Sequence, residues 1–559
     1  MKKFIFLIIV SAFIIRIVGI DYGLPMFLVS DEVGITGASL KMLELRTLIP
    51  SLYPDEFRLL YYPPFLSYIY LIFIIPVLAV QFLLGGLDLN LLRESIVLDP
   101  TLVWLTTRLV TAVLGTLIVF LTYTMGNRMF GKTHGIFASI FVAGSFLAVQ
   151  LSHFARHWIP ATFFTYLIIA LAILIYFSKE RKNYIWAGAL AGIAFGVSYI
   201  TAVALLVILL AHFLSVAKPD DNKTELFQFP FENKRKMQNV VNKIWSWIKK
   251  IFFDPNLWTM LATFVIIGGI FALLNFPEFE RRISGEDITI GMGKSFSGAL
   301  TAVSSDFISF FQYEPILLIG ASLGLIILLI KQRRLFFLFI SFPLVYWFVL
   351  YFFIHFEPRY NLLLVPWFAL LAGLSLLQVW ELSFGDFLMK AVVVIALILP
   401  FTVAVYYDFL LLQPDSRQEA VVWVEENIPE DSSVAVISDT LELVPNREAV
   451  ENLFMNHPEA VRTKHRILQS LPEDRYPRPA YNVFVFDEVD ENEPDWSQFD
   501  YVIMDYTERE PESLASYEKL ASFNSREENV LDVHGNIFES IINIFNVKKL
   551  GPIVEIYKI

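Results

Sequence analysis

Residues 21–64, DYGLPMFLVSDEVGITGASLKMLELRTLIPSLYPDEFRLLYYPP, separate two strongly apolar runs, 4–20 and 65–84. The adjacent carboxylates Asp31 and Glu32 fall just past the first run, where a weakly amphipathic stretch begins. A carboxylate so close to lipid is costly unless it has a partner or a task. Ser30 suits an N-cap, which puts both acids in a first helical turn whose dipole favours their ionised form. An ionised carboxylate at a membrane surface is what a general base for an alcohol acceptor needs. Two acids at a helix start also read, more simply, as capping residues on a surface loop.

The rest of the chain makes the surroundings apolar. Of 559 residues 56% are hydrophobic, and mean hydropathy is +0.58. Many runs are long enough to cross a bilayer, so the chain reads as a polytopic helical membrane protein. There is no cysteine, which excludes disulfides, thiolate metal sites and Cys nucleophiles. Residues 411–559 carry 13 Lys+Arg against 30 Asp+Glu, a net of −17, and leave +5 for 1–410. An acidic tail on a mildly basic membrane body argues against nucleic acid as a partner.

Lys2 and Lys3 precede the first apolar run, Arg16 interrupts it, and no small-residue cleavage site follows. The run is therefore an uncleaved membrane helix with a cytoplasmic N-terminus. Later loops carry Arg128 and Lys132, Lys179 to Lys182, Lys234-Arg235-Lys236, and Lys331 to Arg334. All of them fall in the cytoplasm only if 65–84 does not cross, and Pro63, Pro64 and Pro76 suit a bent, non-spanning helix. The spans are then 4–20, 101–125, 135–151, 160–178, 184–199, 201–216, 257–275, 314–330, 335–354, 361–379 and 389–410. Residues 1–410 thus form an all-α polytopic domain of about eleven transmembrane helices, with juxtamembrane helices in the first outer loop, 21–100. Residues 411–559 alternate strand-like runs (434–437, 481–486, 501–504, 553–557) with helical ones (419–427, 446–470, 511–522) and read as a small soluble α/β domain outside the cytoplasm. It has no Gly-rich phosphate loop.

The outer loops and helix mouths collect a particular set of side chains. Besides Asp31 and Glu32 there are Tyr61 and Tyr62, Arg108, His153, Arg156, His157 and Trp158, Arg281, Arg282 and Lys294, and His355, Arg359 and Tyr360. One acidic cluster facing several cations suits an anionic lipid headgroup, because Arg grips phosphate with two hydrogen bonds and cations stabilise a departing phosphate. Blander readings stand beside this one. Arg108 can snorkel or pair with a neighbouring helix, Arg156 and Arg359 can be interfacial anchors, and Arg281-Arg282 can contact headgroups. Tyr62 and Trp158 can be aromatic-belt residues. His153, His157 and His355 lack a recognised metal-ligand spacing.

The order Arg16, Leu24-Pro25, Asp31-Glu32, Tyr62-Pro63-Pro64-Phe65, Arg108 with Gly115, His153-Phe154-Ala155-Arg156 and Arg359-Tyr360 with Pro366 resembles the GT-C integral-membrane glycosyltransferases, specifically their protein O-mannosyltransferase and aminoarabinose-transferase branch. The resemblance covers about 1–410. It implies transfer of one hexose or pentose from a polyprenyl-phosphate donor to an acceptor hydroxyl on protein, lipid or glycan at the outer face of the plasma membrane, with inversion. It further implies Asp31 as catalytic base with Glu32 beside it and Arg108 and Arg156 by the donor; the side chains gathered at the outer helix mouths add Arg359 at the donor phosphate and Tyr62, His153, His157, Arg281, Arg282, Lys294 and Tyr360 at the substrate. Family sequences often have an Asp soon after the Arg of the second loop; here His157 follows, which weakens the case for a divalent metal and leaves open whether His157 takes that role.

The alternative is a transporter or flippase of lipid-linked or anionic substrates, which calls for charges at mid-membrane; the sequence offers few beyond Arg16. No cofactor is expected, and a divalent metal is not favoured. Sugar transfer should persist in chelator, and full loss rescued by a magnesium or manganese salt would instead make Glu32 and His157 ligands.

Overall fold

The computed structural model describes the chain except residues 1, 217–244, 246–248, 250–251, 285–295, 354–357, 383–386, 439, 487–494, 507–513, 515 and 525–540. Helices α1 (Lys2–Ile17), α2 (Ser30–Glu44), α3 (Phe65–Leu84), α4 (Leu89–Leu98) and α5 (Thr101–Phe130) make the first part. They are followed by α6 (Lys132–Gly144), α7 (Phe146–Gln150), α8 (Trp158–Ser178), α9 (Arg181–Val197) and α10 (Ala204–Val216). The membrane part continues through the helices Pro255–Leu274, Pro315–Lys331, Arg333–Phe353, Val365–Leu382 and Phe387–Leu411. Among the described residues eight helices are long and apolar enough to cross a membrane, Phe65–Leu84 being one of them. Seven of the eleven expected spans belong to this set; the other four are the shorter α1, α9, Pro315–Lys331 and the α6–α7 pair, which breaks at Ser145.

The break has a local cause. Ser145 caps α7 with its own hydroxyl, and Glu314 accepts from Ser145 Oγ at 2.6 Å and from the Leu147 N–H at 3.2 Å. Elsewhere helices pack through small residues. Gly188, Gly192 and Gly196 form one stripe on α9 against Pro255–Leu274, and a Cβ at Gly188 would lie 2.3 Å from the Met260 carbonyl oxygen. In lipid, such close approach replaces the hydrophobic drive that water supplies elsewhere.

Two sets of contacts bear on helix α3, which is long and apolar enough to cross a membrane. Tyr22 and Leu24, at the start of 21–100, bond Asp415 and Gln418 of the soluble domain. At the other end Glu94 pairs with Arg475 at 2.9 Å, and Val97 and Leu98 pack on Val450, Ile467 and Leu468. Both ends of the segment therefore meet the same domain. The α4 helix has 10 residues, about 15 Å of rise, half of a hydrocarbon core of about 30 Å. The shortness of α4 suits a segment that enters and leaves on one side, as the basic loops suggest.

The soluble domain is a five-stranded sheet ordered β2-β1-β3-β5-β4, with β1 (Ser433–Ile437), β2 (Asn482–Phe486), β3 (Tyr501–Tyr506), β4 (Glu518–Phe523) and β5 (Ile553–Lys558). The first three are parallel and β5 runs antiparallel to β3 and β4. The expected helix 511–522 is a strand over β4. Its residues ladder with β5, and Lys519 reaches the buried Glu555 at 2.7 Å, a tertiary pairing that overrides local preference. The expected N-cap also moves. Val29 precedes the helix and caps it without a side-chain bond, so Ser30 opens α2 and Asp31 and Glu32 still occupy its first turn.

Cysteines placed at the exposed Ser178 and Gln332 should resist an impermeant thiol reagent in intact cells, whereas one at Met455, 70% exposed in the soluble domain, should react. The reverse pattern would invert the sidedness expected from the basic loops.

Candidate functional site

Helix α2 is held against α5 by a forked ion pair. Arg108 Nε donates to Glu32 Oε1 at 2.9 Å and Nη2 donates to Oε2 at 2.7 Å. Its Nη1 donates to the Ile20 and Tyr22 carbonyls at 2.9 and 2.8 Å, and its plane lies 5.1 Å from the Phe154 ring centre. Glu32 Oε1 also accepts from the Ala155 N–H at 2.5 Å. Both side chains are almost fully buried. The sequence suggested that Arg108 offers its fork to a donor phosphate and that Glu32 shares the catalytic role. Here Arg108 spends four hydrogen bonds inside the protein, and Glu32 is enclosed.

Successive helical residues point about 100° apart, so Asp31 faces elsewhere. Its side chain is 20% exposed, against 1% for that of its partner Arg156. Arg156 Nε donates to Asp31 Oδ2 at 2.9 Å, and Nη2 donates to the same oxygen. Oδ1 accepts no hydrogen bond among the described residues. Burial works to raise the pKa of Asp31, but the charge of Arg156, with His157 and Arg359 beside it, outweighs burial and holds it near 2. The group is ionised, yet it is a weak base while Arg156 grips it.

Beside it runs a row of rings. Tyr62 and His157 lie 4.0 Å apart between centres, His157 and Trp158 4.2 Å, and Trp158 and Tyr360 4.6 Å. Arg359 contributes its charge to Asp31, His157 and Tyr62. Burial first, then Arg156, Arg359 and Arg282 against the opposing Asp31, hold the His157 imidazole neutral with a pKa lowered to about 3. Its Nδ1 and the Trp158 Nε1 are buried without a hydrogen-bond partner among the described residues.

Asp31, Arg156, His157, Tyr62, Arg359 and Tyr360 thus come together, and others of the expected set do not. His153 lies within 3.0 Å of the Val149 and Val18 carbonyls and 3.5 Å from Asp408. Burial lowers its pKa to about 4, so as a neutral ring it donates to one carbonyl only. Arg281 and Arg282 pair with Glu278 at 2.5 and 2.6 Å; Arg281 covers the Tyr61 ring and Arg282 reaches the Tyr61 carbonyl at 3.3 Å. They clamp the Tyr61-Tyr62 turn from behind. Lys294 and His355 lie outside the described residues. Asn275 escaped the sequence reading: its amide donates to the Leu60 and Tyr62 carbonyls at 3.1 Å each, and a polar residue ending a long apolar helix was the available signal. Among the described residues no three His, Asp or Glu side chains gather as a metal site. A cavity of about 450 Å³ between α2 and α4 contains none of the site residues.

The family described as dolichyl-phosphate-mannose-protein mannosyltransferase matches residues 104–226, a segment that includes Arg108, Arg156 and His157. No curated protein matches the chain. Among solved structures, the chain is similar to ArnT from Cupriavidus metallidurans bound to undecaprenyl phosphate, with a TM-score of 0.44 and 12% identity over 90% of this chain and 93% of that one. It is also similar to the apo oligosaccharyltransferase of Archaeoglobus fulgidus, with a TM-score of 0.41 and 14% identity over 78% of this chain. Only 62% of that archaeal chain is spanned.

Breaking the buried pair from one side should be costly. Glu32→Gln and Arg108→Gln should each destabilise the protein by about 3–5 kcal/mol, the usual result of leaving a buried charge uncompensated. The double variant should lose less than the sum. Additive losses in thermal unfolding of the three purified variants would show that the pair is not a coupled unit.

Proposed function

We propose that the chain is a membrane glycosyltransferase that moves one sugar from a polyprenyl phosphate to an acceptor hydroxyl, with Asp31 as the base. The observation that carries this reading is an ionised, partly exposed Asp31 whose Oδ1 accepts no hydrogen bond among the described residues and which sits beside arginines and a row of aromatic rings. The family match over 104–226 supports the polyprenyl-phosphate donor.

Oδ1 takes the acceptor proton as the acceptor oxygen attacks the anomeric carbon. The bond between that carbon and the phosphate oxygen breaks on the opposite side, so one displacement inverts the centre. Arg156 and Arg359 meet the departing phosphate with charge and directed N–H groups. The 21-residue helix α8 starts two residues after Arg156, at Trp158, and adds the positive end of its dipole. No general acid is required, because phosphate leaves readily as an anion. The aromatic row offers the sugar a flat apolar wall. Arg108 is left out of phosphate binding, and Glu32 out of proton transfer: together they fix the turn that carries Asp31.

Arg156 serves two anions in this scheme. Without donor it neutralises Asp31; with donor, the phosphate competes for the same guanidinium. Loosening that grip raises the proton affinity of Asp31, so the base strengthens when the leaving group is in place. Asp31 faces Arg156 and His157 from the loop before α8, Arg359 from the segment before Val365–Leu382, and Tyr62 from the turn before α3. When Arg156 turns away, Arg359 is the cation that still lowers the Asp31 pKa, and in this scheme it meets the same phosphate.

Asp31→Asn should lower transfer by about 10²–10⁴-fold, the usual worth of a general base, with polyprenyl-phosphate affinity retained. Arg156→Lys should weaken that affinity because a point charge replaces a fork. In an infrared titration the Asp31 carboxylate should protonate near pH 2 in the apo protein and move up toward its ordinary value of 3.8 with polyprenyl phosphate bound. Full transfer in Asp31→Asn would remove the base from this loop, and an Asp31 titration indifferent to polyprenyl phosphate would end the shared-arginine scheme.

A further inference from the structure

The turn that leads into α2 is held by the soluble domain as well as by the membrane helices. The Tyr22 phenol, 4% exposed, donates to Asp415 Oδ2 at 2.5 Å, and Asp415 is fully buried. Asp415 is the N-cap of the Ser416–Asn427 helix. Its Oδ1 accepts from the Arg417 N–H at 2.9 Å and from Arg417 Nε at 2.8 Å, while Oδ2 accepts from Arg417 Nη2 at 2.9 Å. Arg417 Nη1 carries the network to Thr440 Oγ1, just past β1, at 2.6 Å. Gln418 does two things: Oε1 accepts from the Asp415 N–H at 3.1 Å, and Nε2 donates to the Leu24 carbonyl at 3.1 Å. The closing strand presses on the same point. Gly551 has φ +110°, and a Cβ there would lie 2.3 Å from Ser416 Oγ and 2.7 Å from Asp415 Oδ1.

The carbonyls of this turn are divided between the two parts of the protein. Arg108 takes Ile20 and Tyr22, and Gln418 takes Leu24. Tyr22 therefore belongs to both networks: its carbonyl is bound to Arg108 and its hydroxyl to Asp415. A shift of the soluble domain moves Tyr22, and Tyr22 cannot move without disturbing the Arg108 fork that fixes Glu32, the residue next to Asp31.

We infer that Tyr22 and Gln418 are positioning residues through which the soluble domain sets the placement of Asp31. The proposal rests on the reading of Asp31 as the base. The hydroxyl of Tyr22 and the amide of Gln418 act on the route of residues 20–24, not on substrate. Their loss therefore changes how often Asp31 is in its working position and leaves the phosphate contacts at Arg156 and Arg359 intact.

The test uses the full chain in lipid nanodiscs with Tyr22→Phe, which removes one oxygen and keeps the ring, and Gln418→Ala. In both, amide hydrogen exchange over residues 26–36 should quicken by about tenfold, the worth of one net hydrogen bond of ordinary strength. Exchange within β1, β3 and β5 should stay as in the parent. Sugar transfer should show a kcat lowered by about tenfold, with KM for the polyprenyl-phosphate sugar within about twofold of the parent. Unchanged exchange over 26–36 in both variants overturns the inference. So does quickened exchange with an unaltered kcat, or a loss confined to KM. If the parent itself transfers no sugar, the reading of Asp31 as base fails, and the exchange arm alone decides whether the soluble domain holds this turn.

Discussion

A buried charge pair at the membrane surface must be satisfied from every direction or not be there at all, and the Glu32–Arg108 fork meets that condition with partners from four places. Arg108 comes from α5, Glu32 from α2, the Ala155 N–H from the loop before α8, and the Ile20 and Tyr22 carbonyls from the turn between α1 and α2. Desolvation makes each of these groups expensive alone. Together they form a node that cannot relax piecemeal. Everything proposed for the neighbouring Asp31 depends on that rigidity, because a base acts only on a proton within reach of its oxygen.

The two adjacent acids show how one helical step divides structure from chemistry. Glu32 turns inward and is consumed by the fork. Asp31, rotated about 100°, meets Arg156 at the edge of the site and keeps one oxygen without a hydrogen bond among the described residues. Arg156 and Arg359 both lower its pKa by their charge, and in the proposed scheme a donor phosphate draws on the same two cations.

The membrane architecture was largely legible because length and apolarity are local properties of the chain. The distribution of Lys and Arg in distant loops argues that α3 does not cross, and the contacts of both ends of 21–100 with the soluble domain are compatible with that reading. The site was legible only as a crowd. Sequence assembled Asp31, Arg156, His157, Tyr62 and Tyr360 as candidates, but could not tell an arginine that offers its fork from one whose fork is occupied, and Arg108 is the occupied one. That distinction is made by partners tens of residues away. The same holds for β4, which local pattern read as helix and β5 converts to strand, and for Asp415, whose value lies in reaching Tyr22 across 393 positions.

Helix α3 couples the protein mechanically to the bilayer. It holds 20 residues, about 30 Å of length, and it turns Ile72, Phe73, Ile75, Val80, Leu83 and Leu84 outward. Those apolar side chains need acyl chains or a partner around them, so lipid shares in holding the segment that carries Asp31: a change in acyl-chain length or packing acts on α3 directly, before any substrate is considered.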